Sequence, residues 1–412
     1  MHETIFPLTR RSLLKGALAA AAAPYVITSF SLAGQNRPVP SNRLAMGCIG
    51  VGGQGSGDMG GFLGFPEVQV ITVCDVDKNH RERAKSTVDN RYGGGPNCAA
   101  ANDFRDVVHR SDVDIILCAT PDHWHALITI EAMRNGKDVY CEKPESLTIR
   151  EGRRMVETAR RYGRVFSGGS QRVWGDYNWF HRMVRGGAIG EPQEAWVNVG
   201  GPSDEMIRPA EPVPEGMDWD MWLGPAPWRP YNKDYHPFRW RGCRDFSGGG
   251  MTDWGAHGFG GCLFALGLHE TGPVEIIPPD GKDVKQLTFV FANGIRIHHG
   301  GGWGGILSFK GTKREIPERK GSEKEAPPNI FIQNYRGKGG IFGDFLHCVK
   351  TRERPFRDIE IGHRTVTVCH LGNIAYWLKR PLKWDPVKEE ILGDPEAARW
   401  LDRPKRAPWR LA

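Results

Sequence analysis

The chain has 412 residues, more than one hydrophobic core usually organises, so two domains are expected. Its composition, 39% hydrophobic and 25% charged, is that of a globular protein and excludes a fibrous or disordered chain. The net charge of +7 comes from basic residues interleaved with acidic ones. Because no long basic run and no nucleic-acid-binding motif accompanies it, no nucleic-acid partner is predicted.

Residues 1–33 predict an export signal rather than part of the fold. Arg10 and Arg11 precede an apolar, alanine-rich run that ends near Val26, and Ser31 and Ala33 are the small residues that a signal peptidase accepts. This order is typical of the twin-arginine route. The run is too short to span a bilayer. We therefore expect an exported, periplasmic protein with no stable membrane anchor; the alternative is an accidental pair of arginines before a short helix.

A polar linker is expected at residues 34–42, and strands and helices alternate after it. Apolar runs predict strands at 44–49, 68–74, 113–119, 138–141 and 165–167, and helices are predicted at 78–88, 126–135 and 149–162. Continuously apolar strands separated by helices indicate a doubly wound parallel sheet, the Rossmann arrangement. This NAD-binding domain is predicted to cover residues 43–168.

The pattern changes in the second half, where a substrate-binding domain is predicted at residues 169–412. Longer, alternating strands are expected at 194–199, 285–291 and 294–299, and a stretch rich in Pro, Gly and Trp covers 201–246. Helices are expected at 340–350 and 362–379, followed by a polar tail. The predicted fold class is α/β: a Rossmann domain followed by an α+β domain with a mainly antiparallel sheet.

The nine cysteines include no C-x-x-C pair, and several fall in the apolar strands. The twin-arginine route carries folded proteins, so folding would take place in the reducing cytoplasm. Cys48, Cys74, Cys118 and Cys141, which lie in these strands, are therefore predicted to be small core residues, and no disulfide framework is expected.

A glycine-rich loop follows the first predicted strand directly. Gly50, Gly52, Gly53, Gln54 and Gly55 lie in a G-x-G-x-x-G pattern. The first glycine allows a tight turn, the second lets the backbone approach a pyrophosphate, and the third lets helix and strand pack closely. The N terminus of the next helix offers its dipole to the phosphates. The pattern therefore predicts a dinucleotide site.

Asp75 ends the second strand, about twenty residues after the loop. An acidic side chain there accepts hydrogen bonds from the ribose hydroxyls of the adenosine and repels a 2′-phosphate, so NAD is predicted. Lys78 and Arg81 lie nearby and leave NADP as the less favoured alternative.

Two clusters follow the third and fourth strands. They are Thr120, Pro121, His123 and His125 after the third strand, and Glu142 and Lys143 after the fourth. Ligands bind beyond the carboxyl ends of parallel strands, so all six are predicted to line one crevice with the cofactor. The two histidines also suggest a metal site, but two ligands without a third make a weak one, and no metal is predicted.

Asp253 and His257 are four residues apart, so on a helix they share one face. A carboxylate can orient an imidazole and stabilise its cation. The alternative is a helix cap at Asp253 with an incidental histidine.

The combination resembles the Gfo/Idh/MocA family, which includes glucose–fructose oxidoreductase and inositol dehydrogenase. The resemblance rests on IGVGGQG, TPDHWHA, CEKP, WLGPAPWRPYN and GGGMTDWGAH, and the run GHRTVTVCHLGNIAYWLKRPLKWDP looks like the exported branch. It implies NAD-dependent chemistry on a sugar or polyol. It also implies an open-faced antiparallel sheet that often mediates oligomerisation, so a homodimer or homotetramer is expected.

The resemblance also implies roles for three residues. His257 would relay a proton as the base, Lys143 would contact the reacting hydroxyl and the nicotinamide ribose, and Asp253 would orient the base or the substrate. Many relatives carry Asp three residues after this histidine, where the chain has Gly260. One contact to a substrate hydroxyl is therefore expected to be missing.

Basic and aromatic side chains suggest how a carbohydrate would bind. The predicted substrate-binding residues are Gln171, Arg172, Arg239, Arg241 and Trp254. Arginine can hydrogen-bond hydroxyls, and tryptophan can stack on a sugar face. For any single tryptophan of the 201–246 stretch, such as Trp219, Trp222, Trp228 or Trp240, packing in the core is the alternative.

Three functions are consistent with these residues. The first is an NAD-dependent oxidoreductase that keeps its cofactor bound, because no exchanging NAD pool is expected outside the cytoplasm. The second is a net non-redox glycosidase or lyase that oxidises a ring hydroxyl transiently. The third is a sugar-binding protein on a decayed enzyme fold. The sequence favours the first because the CEKP run is intact.

Overall fold

The computed structural model describes residues 42–237, 239–300, 306–317, 321–328 and 334–411. The predicted export signal and nearly all of the predicted linker lie outside the described residues. Leu44–Ala412 forms one compact unit. Within the described ranges, no helix is both long and apolar enough to cross a membrane.

The first sheet is parallel throughout and has the strand order β3-β2-β1-β4-β5-β6. Its strands are β1 Leu44–Ile49, β2 Val68–Cys74, β3 Ala99–Ala101, β4 Ile115–Cys118, β5 Asp138–Cys141 and β6 Phe166–Gly168. The central strands β4 and β5 are buried at every residue, as expected for strands covered by helices on both faces. The predicted Rossmann sheet is confirmed.

Helices connect these strands, and their ends follow from local chemistry. They are α1 Gly53–Leu63, α2 Lys78–Arg91, α3 Arg105–Val108, α4 Asp122–Arg134 and α5 Ile149–Arg161. Asp77 caps α2 by accepting a hydrogen bond from the backbone of Asn79, and Thr148 with Glu151 forms a capping box at α5. These caps fix where each helix begins beyond its strand.

The second sheet is mixed, with the order β12-β11-β7-β10-β9-β8-β13-β14. Its strands are β7 Pro192–Asn198, β8 Glu275–Ile277, β9 Thr288–Val290, β10 Arg296–Gly300, β11 Ile306–Gly311, β12 Glu315–Ile316, β13 Leu382–Asp385 and β14 Glu390–Ile391. The pairing of β7 with β10 is parallel and the others are antiparallel. The predicted α+β character is therefore confirmed.

The C-terminal tail takes part in this sheet, which the expectation of a polar tail did not include. Leu382 and Trp384 alternate with exposed or half-buried neighbours and are 1% and 2% exposed. This two-residue period is that of a strand with one face packed in the core.

The remaining helices pack around the second sheet and beside the first. They are α6 Arg172–Gly175, α7 Asn178–Arg185, α8 Trp219–Leu223, α9 Gly250–Asp253, α10 Gly255–Leu266, α11 Gly340–Thr351, α12 Ile359–Leu378 and α13 Pro395–Ala398. Short 3₁₀ turns occupy Arg239–Gly242, Glu323–Glu325 and Arg399–Leu401. Helix α10 is buried along nearly its whole length, which suits its apolar sequence.

Residues 201–246, here called the covering segment, attach to the Rossmann sheet beside the end of β2. The backbone N–H of Lys78 donates to the carbonyl of Gly216 at 2.9 Å, and that of Asp218 donates to Val76 at 3.0 Å. The side chain of Asn102 donates to the Asp218 carboxylate at 2.8 Å. The covering segment therefore lies against the loop that follows β2.

The covering segment also has an aromatic core of its own. Its buried members are Trp219, Trp222, Tyr231, Tyr235, Trp240 and Phe246. Trp228 is 67% exposed, unlike the other tryptophans of the segment. Core packing therefore accounts for Trp219, Trp222 and Trp240 but not for Trp228.

All nine cysteines are free and buried, including the four predicted to be core residues, Cys48, Cys74, Cys118 and Cys141.

Candidate active site

A cavity of about 390 Å³ opens at the carboxyl ends of β1, β2, β4 and β5. The predicted residues in its lining are Gly50, Gly52, Gly53, Gln54, Gly55, Asp75, Thr120, Pro121, Glu142, Lys143 and Arg241. The strand-end motifs therefore converge on one crevice, as parallel topology requires.

The glycine loop has the geometry that a dinucleotide cradle needs. Gly50 has a φ of +78°, and an added Cβ there would lie 2.7 Å from the backbone of Thr120. A Cβ on Gly55 would lie 1.9 Å from the carbonyl oxygen of Gly50. Gly53 begins α1 with open space around its Cα. These residues fit an NAD pyrophosphate above the N terminus of α1.

Asp75 lies at the end of the cavity beneath the covering segment. Its carboxylate accepts hydrogen bonds from the backbone N–H groups of Val51 and Asp77, both at 2.9 Å. His80 Nδ1 lies 3.6 Å from the same carboxylate, whose hydrogen bond raises the pKa of the histidine. The arrangement places an acidic group where the ribose hydroxyls of an adenosine would bind.

The basic side chains that line the cavity near Asp75 are not Lys78 and Arg81, the two suggested by the sequence. Arg81 donates to the Asp75 carbonyl oxygen and to Asn102, so its guanidinium is tied to the protein. The basic side chains that line this part of the cavity are His80, Arg83 and His236. His236 belongs to the covering segment, whose position in space could not be read from the sequence.

Lys143 and Asp253 form a direct pair across 110 residues of sequence. The Lys143 ammonium donates to Oδ1 of Asp253, and the two side chains are only 16% and 17% exposed. Arg241 Nε lies 3.6 Å from the same oxygen. Two of the three predicted catalytic residues are thus brought into contact, and Asp253 holds the lysine.

His257 is oriented by Ser170, a residue that the sequence reasoning missed. The Ser170 hydroxyl donates to the carbonyl oxygen of Ala256 at 3.1 Å and lies 2.8 Å from Nδ1 of His257. A hydroxyl has one proton, so a Ser170 that donates to Ala256 accepts a hydrogen bond from Nδ1–H of His257. In that arrangement Nε2 is unprotonated, the form that a general base needs.

The charge state of His257 agrees with that role. The ring is 4% exposed. Burial is the main cause that holds its pKa well below the usual 6.5, and the nearby cations Lys143, Arg172 and Arg357 lower the pKa further. His257 is therefore neutral at neutral pH.

Three buried carboxyl groups surround the lysine, and none of them was predicted as an acid or base. Burial raises the pKa of Asp58 to about 6, that of Asp122 to about 7, and that of Glu142 well above 4.5. Asp122 lies in the TPDHWHA motif and lines the cavity. The motif gave a signal, but the prediction used its histidines instead.

His123 and His125 lie behind the cavity wall rather than in its lining. His123 Nε2 donates to the carbonyl of Trp222 at 2.9 Å, and burial lowers its pKa to about 4. The two ring nitrogens of His125 lie 2.8 Å from the carbonyl oxygens of Thr120 and Pro144. His125 thus links the loops after β4 and β5, and any effect of either histidine on the cofactor is indirect.

Two groups of potential metal ligands occur among the described residues. Cys118, His125 and Cys141 form a buried group, and Asp77, His80 and His236 form a half-buried one. In the buried group, each ring nitrogen of His125 already lies 2.8 Å from a backbone carbonyl oxygen.

The predicted substrate residues divide into two sets. Arg172 lies over the Trp254 ring at 5.0 Å, and that ring meets His257 edge-on at 5.9 Å. Gln171 is exposed, and its carbonyl oxygen accepts a hydrogen bond from Tyr335 at 2.9 Å. Arg239 is separate from this group, with a 72% exposed side chain that lies 3.5 Å from Asp234.

Gly260 lies at a tight contact on α10. A Cβ there would lie 2.9 Å from Cγ2 of Val173 in α6. The two helices therefore pack closely at this position, and an acidic residue at 260 would require the Val173 side chain to shift.

Two family models match the chain. Residues 44–170 match the model described as the NAD-binding Rossmann fold of the Gfo/Idh/MocA oxidoreductase family, and residues 196–411 match the C-terminal alpha/beta domain of the same family.

Curated relatives match a little more than a third of the chain. A glycosyl hydrolase family 109 protein of Saccharopolyspora erythraea is 33% identical over 171 residues, which cover 38% of this chain and 37% of the relative. One from Shewanella putrefaciens is 31% identical over 169 residues, with 37% of each chain covered. The matched region spans little more than a third of these relatives.

Solved structures share the fold over most of the chain. The aldose-aldose oxidoreductase of Caulobacter crescentus complexed with glycerol has a TM-score of 0.59 at 18% identity, covering 83% of this chain and 99% of its own. The WlbA dehydrogenase of Bordetella pertussis, in complex with NADH and UDP-GlcNAcA, has a TM-score of 0.59 at 15% identity, with the same coverage. With both halves matched by the family models, the chain belongs to the Gfo/Idh/MocA oxidoreductase family.

Proposed function

We propose that this protein is an NAD-dependent oxidoreductase that oxidises a sugar or polyol hydroxyl while its cofactor stays bound. The observation that carries the proposal is the Lys143–Asp253 pair at the nicotinamide end of the cleft, with a neutral His257 one helical turn beyond Asp253. The glycine loop and Asp75 would hold NAD, which when bound accepts a hydride from the carbinol carbon.

The chain's own residues divide the remaining work. Lys143 would hold the reacting oxygen, and a cation there stabilises negative charge that develops on it. The unprotonated Nε2 of His257 would take the hydroxyl proton, a contribution of roughly 10²–10⁴ in rate for a positioned base. Asp253 would keep the lysine in place.

A second candidate function is net non-redox cleavage of a glycoside, in which the oxidation is transient and later reversed. The similarity to glycosyl hydrolase family 109 proteins favours it. The covering segment, which lies against the loop that follows β2 and would slow cofactor exchange, suits both candidates. Both candidates begin with the same oxidation and differ in whether the hydride returns.

Substitution of Lys143 tests the proposal and also separates it from a decayed, sugar-binding protein. The assay is the change in absorbance of bound NAD on mixing with glucose, myo-inositol, N-acetylglucosamine and their methyl glycosides. We expect at least one of them to reduce the bound NAD, and Lys143→Ala to slow that step by about 10²–10³, the usual effect of removing one oxyanion donor.

Lys350→Ala is the matched control, because Lys350 is a half-exposed lysine paired with Glu67 outside the cleft. It should react like the unaltered protein. A protein that binds these sugars equally well with and without Lys143, and reduces no NAD, would instead be a binding protein.

We also propose export by the twin-arginine route to the periplasm, with the cofactor loaded before export. Support comes from the order of basic, apolar and small residues in 1–33. Replacing Arg10 and Arg11 by Lys should leave the protein in the cytoplasmic fraction, and unchanged fractionation would refute the route. A homodimer or homotetramer through the second sheet is the proposed assembly, to be tested by light scattering.

A further inference from the structure

Asp122 is a buried carboxyl group at the catalytic end of the cavity. It is the first residue of α4, is 3% exposed, and lines the same cavity as Lys143 and Arg241. Its Oδ2 is buried without a hydrogen-bond partner among the described residues. A buried, unsatisfied carboxyl oxygen is costly to the fold, so such a group calls for an explanation.

The groups that face Asp122 come from three other segments. The Ser247 side chain lowers its pKa, and the charges of Asp253, Arg241 and Lys143 act on it. The Ser247 hydroxyl oxygen accepts a hydrogen bond from the backbone N–H of Gly249 at 3.3 Å.

These surroundings divide into opposing effects. Burial, and after it the negative charge of Asp253, raise the pKa of Asp122 from 3.8 to about 7, against the lowering effects of the Ser247 side chain and the two cations. Near neutral pH the carboxyl group is therefore present in both protonation states, which suits a group that gains and loses a proton during turnover.

The oxidation itself requires no proton transfer by Asp122. Removing a hydride and a hydroxyl proton needs one base, and His257 already provides it. The oxidation does, however, create a carbonyl group that acidifies the neighbouring C–H.

We propose that Asp122 is a second proton-transferring residue of this site, which removes the C–H proton next to the newly formed carbonyl carbon. This inference rests on the proposed oxidation of a sugar hydroxyl. It gives the site a substrate class: sugars that carry a hydrogen and a leaving group on successive carbons beside the oxidised one, as glycosides do.

Water is the one further reactant that the sequence of steps needs. The C–H proton moves to the Asp122 carboxylate, and the C–H electron pair forms a C=C bond while the carbonyl oxygen becomes an enolate that Lys143 stabilises. The enolate then re-forms the carbonyl group and expels the glycosidic oxygen, which takes the proton that His257 acquired. Water then adds to the resulting double bond: its oxygen bonds to the carbon that lost the glycosidic oxygen, the proton on Asp122 returns to the neighbouring carbon, and the remaining water proton passes to His257. The reverse of the proposed oxidation returns the hydride and this proton to the carbonyl group.

The test uses ketones, so it does not depend on the oxidation. NAD-loaded protein is incubated in D₂O with a mixture of methyl ketoglucopyranosides that carry the carbonyl at the second, third or fourth ring carbon. Proton NMR follows the loss of the C–H signal beside the carbonyl. We expect the protein to accelerate this exchange over buffer, with a rate that rises with pH through about 7, the pKa of Asp122.

Asp122→Asn removes the base and keeps the shape of the side chain. Its exchange rate should fall by about 10²–10⁴, and the pH dependence near 7 should disappear. Asp112→Asn is the control, because Asp112 is 60% exposed and pairs with Arg110 away from the cavity. It should exchange like the unaltered protein. Retained NAD and an unchanged melting temperature show that the Asp122 variant is folded.

Two outcomes would overturn the inference: exchange in Asp122→Asn at the unaltered rate, or no acceleration by the unaltered protein on any of the three ketones. Neither outcome speaks against the oxidation, which is measured separately by reduction of bound NAD. Conversely, exchange that depends on Asp122 in a protein that reduces no NAD would support the role of Asp122 and refute the proposed oxidation.

Discussion

Replacing Ser170 by Ala tests whether the tautomer of His257 matters for turnover. The change removes the hydroxyl that lies 2.8 Å from Nδ1 and leaves a ring that is 4% exposed without that partner. A buried polar group without a partner costs about 1–3 kcal/mol. The substitution therefore destabilises the Nδ1–H tautomer by that amount relative to the Nε2–H tautomer. In the Nε2–H tautomer, Nε2 carries the proton and cannot act as the base.

At about 1.4 kcal/mol for each factor of ten, the substitution should lower kcat by roughly ten- to a hundredfold. KM should change little, because Ser170 is fully buried and contacts the histidine rather than a bound sugar. The assay is reduction of bound NAD by the most reactive sugar of the panel, measured in a single turnover.

Ser167→Ala is the matched control for Ser170→Ala. Ser167 lies in β6, is equally buried, and its hydroxyl has no hydrogen-bond partner among the described residues. Its removal should leave kcat unchanged. Equal kcat values for the two variants, with equal melting temperatures, would refute the assignment of the tautomer to Ser170.

Two further substitutions test the cofactor loop and a buried ion pair. Gly55→Ala places a Cβ 1.9 Å from the Gly50 carbonyl oxygen and should abolish retention of NAD. Gly57→Ala is the control: its Cβ would lie in open space in the same helix, so the variant should keep NAD and gain up to about 1 kcal/mol of stability. The NAD released on denaturation is measured for both variants. Burial raises the pKa of Glu389, but hydrogen bonds from a histidine and an arginine outweigh burial and lower this pKa to about 2. The Glu389 carboxylate therefore stabilises the fold above its unfolded pKa of about 4.5, and this stabilisation is lost as the pH falls toward 2. Glu389→Gln should therefore have a lower melting temperature at pH 7, and its melting temperature should fall less on acidification. Glu390→Gln, at an exposed position, should behave like the unaltered protein. Identical melting curves for all three proteins would contradict the pairing of Glu389.

The Rossmann half could be predicted because its signals are local. Buried parallel strands are apolar along their whole length, and the glycine loop directly follows the first of them. Strand β3 was missed because its three alanines carry no apolar period and are largely exposed. Strand β13 was missed because its alternation covers only four residues.

The details of the site depend on contacts between distant parts of the chain. Ser170 and His257 are 87 residues apart, and Lys143 and Asp253 are 110 apart. A helical spacing suggested that Asp253 would orient His257, but the backbone places its carboxylate against the lysine instead. The raised pKa of Asp122 likewise depends on burial, which a single motif does not reveal.

The decisive measurement is the cofactor released by denaturing the purified protein, before and after incubation with the sugar and glycoside panel. We expect NAD in the untreated protein, because the glycine loop, Asp75 and the covering segment enclose it, and NADH after incubation with at least one panel member. NAD that stays oxidised while a glycoside is cleaved would favour the net non-redox reaction. A protein that carries no dinucleotide and binds none when NAD is added would contradict NAD-dependent catalysis at this site.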